Sequence, residues 1–414
     1  MRGSRGYPVA QARDGDPGPR MTSLDLMRVA ILGAGPAGLY LAYLLKRRDP
    51  ATQIRIGEQN RADSTFGFGV VFSDRALEFL EQGDAETYAA IVPRLESWQD
   101  ITINHRGASI RIDGIGFAAI ARLALLAILQ ERVRSVGISP EYERPLGRLE
   151  ELGEADLIVG ADGVNSLVRK TFARELGAEV TYLSNRFAWF GTTMRFDTLT
   201  QTFRTAEFGS CNAHHYRFSP QMSTFIIELD EESFHRGGFE EMNEAQTKAA
   251  CERVFADELR GYPLISNRSV WRQFPKIRNE RWSHGRCVLI GDALHTAHFS
   301  IGSGTRLAME DAIALDRALG EHPRDVRAAL ECFEAARRPI LQKLLAAADR
   351  SGRWYEHFAE HMALDPIEFA MSYVMRSGRI DRERLRRQSP RFVARYERES
   401  AIGSQKPENR KDAF

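Results

Sequence analysis

The sequence predicts an α/β fold in which a parallel-sheet, dinucleotide-binding unit is interrupted by an inserted antiparallel sheet. Three observations predict it. A strand, a glycine-rich turn and a helix follow one another over Arg28–Arg48. From about 180 to 271 the texture changes to short, aromatic, β-type runs. At Arg286 the chain returns to strand, turn and helix. Strands separated by helices build parallel sheets, because a crossover is needed to bring the chain back, whereas closely spaced short runs build antiparallel ones.

The bulk numbers set limits on function. A chain of 414 residues suits two or three domains. The formal net charge is +1, which excludes the broad positive field of a general nucleic-acid binder but leaves room for local patches that hold an anionic substrate. Cysteines 211, 251, 287 and 332 form no CxxC pair. No metal site is therefore expected, and four reduced thiols in a cytoplasmic protein are. No stretch is long and apolar enough to span a membrane. Residues 1–26 read as a disordered tail, or as sequence upstream of a start at Met27. Arg2 and Arg5 precede no apolar segment of a secretion signal.

In the first unit, Arg28–Leu32 is a strand and Gly33-Ala34-Gly35-Pro36-Ala37-Gly38 follows directly. Leu39–Arg48 is a helix, and Gln53–Gly57 is a second strand delivering Glu58. This is the Rossmann order of strand, turn, helix, strand and acid. Gly33 permits the tight turn, Gly35 keeps side chains away from a pyrophosphate, and Gly38 lets the helix lie close to the sheet. Pro36 and Ala37 open the helix, whose free N–H groups face the phosphates. Glu58 accepts hydrogen bonds from a ribose diol and disfavours a 2′-phosphate. The turn alone does not separate FAD from NAD.

Further along, Phe66–Ser73 packs three aromatics and two glycines into eight residues. It reads either as a loop close to a flat ring system or as a buried turn. Arg75–Gly83 looks helical. Trp98–His105 and Ala108–Asp113 read as two strands around Arg106-Gly107. Phe117–Val136 reads as one long helix, with Arg122 placed either to pair with phosphate or carboxylate or to sit in solvent. Glu154–Gly160 leads into Ala161-Asp162-Gly163, a turn that can touch a cofactor or be a turn only. A helix then runs from Lys170 towards Gly177.

The β-rich part reads as five strands, Val180–Phe187, Trp189–Phe196, Phe203–Phe208, His214–Ser219 and Ser223–Leu229, followed by a helical stretch over Phe234–Arg260. After the apolar strand Arg286–Ile290, Gly291-Asp292-Ala293-Leu294-His295 can hold a sugar hydroxyl. Gly302 and Gly304 precede a helix over Arg306–Leu319, and their backbone amides can meet the part of a flavin that becomes anionic on reduction. The domains expected are 27–179 for the first part of the cofactor unit (with an excursion near 98–113), 180–271 for the substrate side, 272–350 for the second cofactor part, and 351–414 for a helical cap and polar tail.

GAGPAG at Gly33–Gly38, Glu58, ADG at Ala161–Gly163 and GDALH at Gly291–His295 resemble the single-component flavoprotein aromatic hydroxylases over roughly residues 27–350. The resemblance implies FAD held by these motifs, with Arg122 at the matching helix start. NADH or NADPH is the implied electron donor, and oxygen is implied to be activated as a flavin C4a-hydroperoxide. GFGVVFSD at Gly67–Asp74 and HTAHFSIGSG at His295–Gly304 are similar to the subgroup acting on aromatic acyl-CoA thioesters. This implies hydroxylation of an aromatic acyl-CoA, salicylyl-CoA at C5 foremost, to the 2,5-dihydroxybenzoyl thioester. The family's usual proline pair and asparagine after the GD motif are replaced by His298-Phe299 and Arg306.

His298 is accordingly expected either to contact the phenol of the substrate or to hold its loop. Arg306 is expected at reduced flavin or at a substrate carboxyl or thioester oxygen. Arg106, Arg204 and Arg217 are candidates for the CoA phosphates. A basic surface after 350 either caps the fold or helps hold CoA. The alternatives are a hydroxylase of a free aromatic acid or of an indole- or tryptophan-derived metabolite, a flavin reductase or halogenase, and a flavoprotein that only binds or senses redox state. No nucleic-acid or membrane partner is expected, and a homodimer is one assembly open to the chain.

Overall fold

Strands buried on both faces must be apolar throughout, and the inner strands of the central sheet, Arg28–Leu32, Leu157–Gly160 and Cys287–Leu289, are nearly so. In the computed structural model, which describes residues 26–73 and 77–404, Arg28–Leu32 lies inside a five-stranded sheet, next to one edge. Gln53–Gly57 pairs with it in parallel on one side and Leu157–Gly160 on the other. Cys287–Leu289 continues the parallel ladder beyond Leu157–Gly160, and Ser283–His284 closes the edge antiparallel. The helix Pro36–Arg48 packs against the helices Arg122–Ser135 and Gly304–Glu321. The expected tail before residue 26, the polar tail after 404, and Asp74 and Arg75 lie outside the described residues.

The inserted sheet has eight strands. Its path runs Leu264–Ile265, Ala178–Thr192, Ser223–Leu229, Gly209–Arg217, Leu199–Ala206, Ile101–His105 and Ala108–Ile112, with Arg272–Asn279 also paired to Ala178–Thr192. The early hairpin thus joins this sheet, through parallel pairing of Ile101–His105 with Leu199–Phe203. Arg106 and Gly107 both take positive φ in its turn, as a two-residue hairpin requires. A separate three-stranded sheet joins Gly69–Ser73, Phe117–Ala121 and Glu96–Trp98.

Several expected boundaries are corrected. Phe117–Ala121 is a strand, and the helix begins only at Arg122. Val180–Phe187 and Trp189–Phe196 are not two strands. One 15-residue strand, Ala178–Thr192, runs through Ala188, because it has ladder partners on both sides. The stretch Phe234–Arg260 holds three short helices, Glu231–Arg236, Glu244–Val254 and Ala256–Leu259. The helix expected from Lys170 is limited to Leu167–Thr171. The break expected near 350 falls inside a 31-residue helix, Val326–Glu356.

Beyond that helix, Pro366–Met375, Arg382–Gln388 and Pro390–Ser404 pack on the hairpin side of the inserted sheet. The seam is aromatic. Phe203 from the sheet meets Phe369 at 4.6 Å and Phe358 at 5.6 Å between ring centroids. Burying a ring of this size is worth about 1.5–3 kcal/mol, so the seam fixes the helices against the sheet. Among the described residues, no helix is long and apolar enough to cross a membrane.

Candidate active site

One cavity of about 1020 Å³ reaches from the first glycine turn to the inserted sheet and the C-terminal helices. At the turn, the three motif glycines have different reasons. Gly33 has φ +98°, and a Cβ there would lie 2.3 Å from the Ala161 carbonyl oxygen. A Cβ on Gly38 would lie 2.1 Å from the Gly33 oxygen. Gly35 has ordinary extended geometry, and a Cβ there would meet nothing within 4 Å. The first two glycines close the turn, and the third leaves the cavity wall bare. No side chain caps the helix that follows, so the N–H groups of Ala37 and Gly38 are free for an anion. Glu58 braces the turn by accepting from Ala34 N at 2.9 Å and Asn60 N at 2.8 Å.

The two later turns are tied together. Buried Arg169 donates to Ala293 O at 2.7 Å and to Val164 O. Asp162 accepts from Leu167 N at 2.6 Å, while its Oδ1 is buried with no hydrogen-bond partner. Burial raises its pKa. Gly163 lines the cavity and opens onto free space. Gly291 takes φ +60° and donates its N–H to Asp311 Oδ2 at 3.0 Å. His295 Nε2 meets the same oxygen at 2.7 Å, and Arg337 Nε donates to Asp311 Oδ1 at 2.9 Å. Burial opposes ionisation of Asp311, but His295 and Arg337 hold its carboxyl below the usual range. His295 therefore positions the turn. Asp311 and Arg337 escaped the sequence reading, because charged residues on amphipathic helices look like ordinary solvated ones.

Asp292 is exposed to the cavity, and desolvation by the surrounding chain raises its pKa against the pull of His295 and Arg122. Arg122 is the first residue of its helix and also lines the cavity, with Nε buried and unpartnered. Gly302, at φ +58°, sits against Val71, where a Cβ would come within 2.6 Å of Cγ1. Gly304 opens a helix that no side chain caps. Arg122, two uncapped helix ends and three bare glycines thus face one space, and Asp162 stands beside it, between the lining residues Ala161 and Gly163. That donor set fits an extended, anionic dinucleotide.

The GFG run has features of both of its readings. It lines the cavity, and its glycines are needed by the protein's own rings. A Cβ on Gly67 would lie 2.9 Å from Trp189, and one on Gly69 would lie 2.6 Å from Phe218.

On the far side, Trp189, His214, Tyr216, Phe299 and Tyr373 form an aromatic wall beside Leu199. His214 stacks on Tyr355 and places Nε2 at 3.1 Å from Glu228 Oε2. Burial lowers the His214 pKa to about 3 and raises that of Glu228, so the histidine is neutral near pH 7. Of the two readings for His298, contact with the substrate and holding of its loop, the geometry agrees with the second, because the residue does not line the cavity. Its Nδ1 is bonded to Ser300 at 2.7 Å, its ring meets Phe274, and Nε2 lies 3.9 Å from Glu228 behind His214. Burial lowers its pKa to about 4. Arg306 does line the cavity, with Nε on Glu310 at 2.7 Å.

The three arginines expected for CoA are committed elsewhere. Arg106 donates to Ala363 O, Arg204 pairs with Glu258 and Asp257, and Arg217 pairs with Glu96. None of them lines the cavity.

A family model described as an FAD binding domain matches residues 136–348. Salicyloyl-CoA 5-hydroxylase of a Streptomyces species is 40% identical over 90% of this chain and 73% of that protein. Protodeoxyviolaceinate monooxygenase of Chromobacterium violaceum is 35% identical over 84% of this chain and 94% of that protein. Among solved structures, the tetrameric form of 2-methyl-3-hydroxypyridine-5-carboxylic acid oxygenase superposes with a TM-score of 0.65. It is 17% identical and covers 88% of this chain and 96% of that one.

Proposed function

Because the chain belongs to the FAD-dependent aromatic hydroxylases, we propose that its substrate is an aromatic acyl-CoA thioester, salicyloyl-CoA at C5 foremost. The observation that carries this reading is the shared cavity, with a dinucleotide cradle at one end and a histidine-bearing aromatic wall at the other. The 40% identity to a protein named for that reaction supports it.

FAD, once bound, supplies the oxygen-activating redox chemistry, with NADH or NADPH as the donor. The remaining work belongs to the chain. Ala37 and Gly38 amides and Arg122 hold the phosphates, Glu58 takes a ribose diol, and Asp162 and Asp292 bind sugar hydroxyls near Gly163 and Gly291. The amides at the start of the helix after Gly302 and Gly304 neutralise negative charge on the ring system. The aromatic wall excludes water and orients the substrate ring.

His214 is the group that meets the phenol. With Nε2 held by Glu228, Nδ1 is the ring atom left to accept a hydrogen bond from the phenol. Polarising the phenolic O–H in this way raises electron density at the para carbon, where the oxygen is to be added. His298 and Ser300 keep Glu228 and the loop in place.

The test is nicotinamide oxidation by the FAD-loaded protein with salicyloyl-CoA, followed by product mass. A mass gain of one oxygen atom is expected. A second reading, an indole-derived substrate, is supported by the 35% identity to the protodeoxyviolaceinate enzyme. Oxygenation of indole-type acids with none of aryl-CoA would favour it.

A further inference from the structure

The cavity carries more positive charge than a dinucleotide pyrophosphate neutralises. Among the described residues, seven arginines line it, against two carboxylates, Glu78 and Asp292. Several have evident tasks. Arg122 faces the cradle. Arg268 and Arg272 both lie over the exposed ring of Phe66. Arg376 is used by the fold, donating to Ser351 and Ser300 O across the Tyr373 ring.

Three remain: Arg306, Arg379 and Arg384. They stand where the helices Pro366–Met375 and Arg382–Gln388 close the cavity, with neutral neighbours Ser377, Ile380 and Gln388. Arg379 follows a left-handed turn at Gly378, and Arg384 Nη1 reaches back to the Arg379 carbonyl at 3.5 Å. Among the described residues, neither Arg379 nor Arg384 has a carboxylate partner. Glu310, which pairs with Arg306, is shared with Arg337, so its single charge serves two guanidiniums. Arg306 and Arg384 are near enough to disfavour charge on Arg379, on top of its partial burial. Asp381 lies between Arg379 and Arg384 in sequence, but its carboxylate caps the helix, accepting from Arg384 N at 2.7 Å, and does not line the cavity. Like charges gathered at a cavity end, with the nearby acid turned to a backbone N–H, are unfavourable unless an anion completes the site. Planar guanidinium forks suit phosphate oxygens in particular.

We propose, resting on the acyl-CoA reading above, that Arg379 and Arg384, assisted by Arg306, bind the phosphate end of the CoA arm where it leaves the cavity. The aromatic ring then lies inward under His214, and the uncharged pantetheine runs along the C-terminal helices.

The test compares two substrates in the FAD-loaded full chain: salicyloyl-CoA, and salicyloyl-pantetheine, the same thioester without phosphates. In the Arg379→Ala/Arg384→Ala variant, KM for the CoA thioester should rise about tenfold or more, the scale of one or two lost charge-assisted contacts. KM for the pantetheine thioester, kcat and FAD content should stay near wild type. The lysine pair, Arg379→Lys/Arg384→Lys, should recover part of the loss, and added salt should raise the wild-type KM for the CoA thioester alone. Wild-type turnover of both thioesters, with KM unchanged in the variant or raised equally for both, overturns the arginine site and leaves the acyl-CoA reading standing. A wild type that turns over neither thioester overturns both.

Discussion

Gly35→Asp should separate the fold from its cofactor. At φ −79° and ψ −177° the backbone accepts any residue, and a new Cβ would meet nothing within 4 Å. Gly35 is also the N-cap of the helix Pro36–Arg48, a position where aspartate is favoured, so the apo-protein should be at least as stable as wild type. The space that looks empty is where the pyrophosphate belongs. A carboxylate about 5 Å from one phosphate charge costs about 3 kcal/mol at an effective dielectric of ~20, which is about a hundredfold in affinity. The added carboxylate would also occupy the N–H groups that the phosphates need. The assay is the ratio of visible flavin absorbance to protein absorbance after purification, then FAD titration and a thermal melt. An apo-protein that melts normally and takes up FAD at least about a hundredfold more weakly is expected. Stoichiometric FAD at wild-type affinity would refute the placement of the phosphates. Gly33→Ala is the contrast. Its φ of +98° and 2.3 Å approach to Ala161 put the cost, about 1–3 kcal/mol or more, on the fold itself.

Three further outcomes are expected. His214→Gln should keep FAD but lower product formed per nicotinamide oxidised by about tenfold or more, with hydrogen peroxide making up the difference; His298→Ala should lower it less, and equal coupling in wild type and the His214 variant would remove that residue from the chemistry. Asp311→Asn leaves Arg337 buried beside half its charge and should cost about 3–5 kcal/mol in denaturant unfolding; a loss within error would mean that the Gly291 turn is held some other way. His215, stacked on Phe225 and bonded to Thr202, is kept by burial at a pKa of about 3 against an ordinary 6.5. The unfolded chain therefore takes up the proton first, so this histidine's stabilisation is complete above pH 6.5 and is lost as pH falls towards 3, at up to about 1.4 kcal/mol per pH unit. His215→Gln should flatten the acid limb by that slope, and an unchanged limb would contradict the assignment.

What was legible in the sequence were features enforced locally. The turn at Gly33–Gly38 could be read because each glycine answers a backbone constraint within a few residues. The Asp162-Gly163 and Gly291-Asp292 turns sit at ends of apolar strands for the same reason. What was not legible depends on partners distant in sequence. Nothing at Ala188 shows whether the strand continues, since continuity comes from ladders to Ser223–Leu229 and Arg272–Asn279. The run Phe117–Val136 is apolar in a way that suits a strand or a helix, and pairing with Gly69–Ser73 decides it. His214 and His215 point to opposite faces of one strand, and no local feature says which face is the cavity. Arg106, Arg204 and Arg217 looked free only because their partners lie 53 to 257 residues away for the first two and 121 for the third.

The discontinuous central sheet has a consequence for synthesis. Its parallel strands come from residues 28–32, 53–57, 157–160 and 287–289, and the acid that steadies the last turn is gripped by Arg337. A nascent chain on the ribosome can pair the first three strands early, yet the receptacle for FAD stays unfinished until more than three-quarters of the polypeptide has emerged. Flavin uptake should accordingly be a late event in biogenesis, and premature termination anywhere before the Val326–Glu356 helix should release a colourless product.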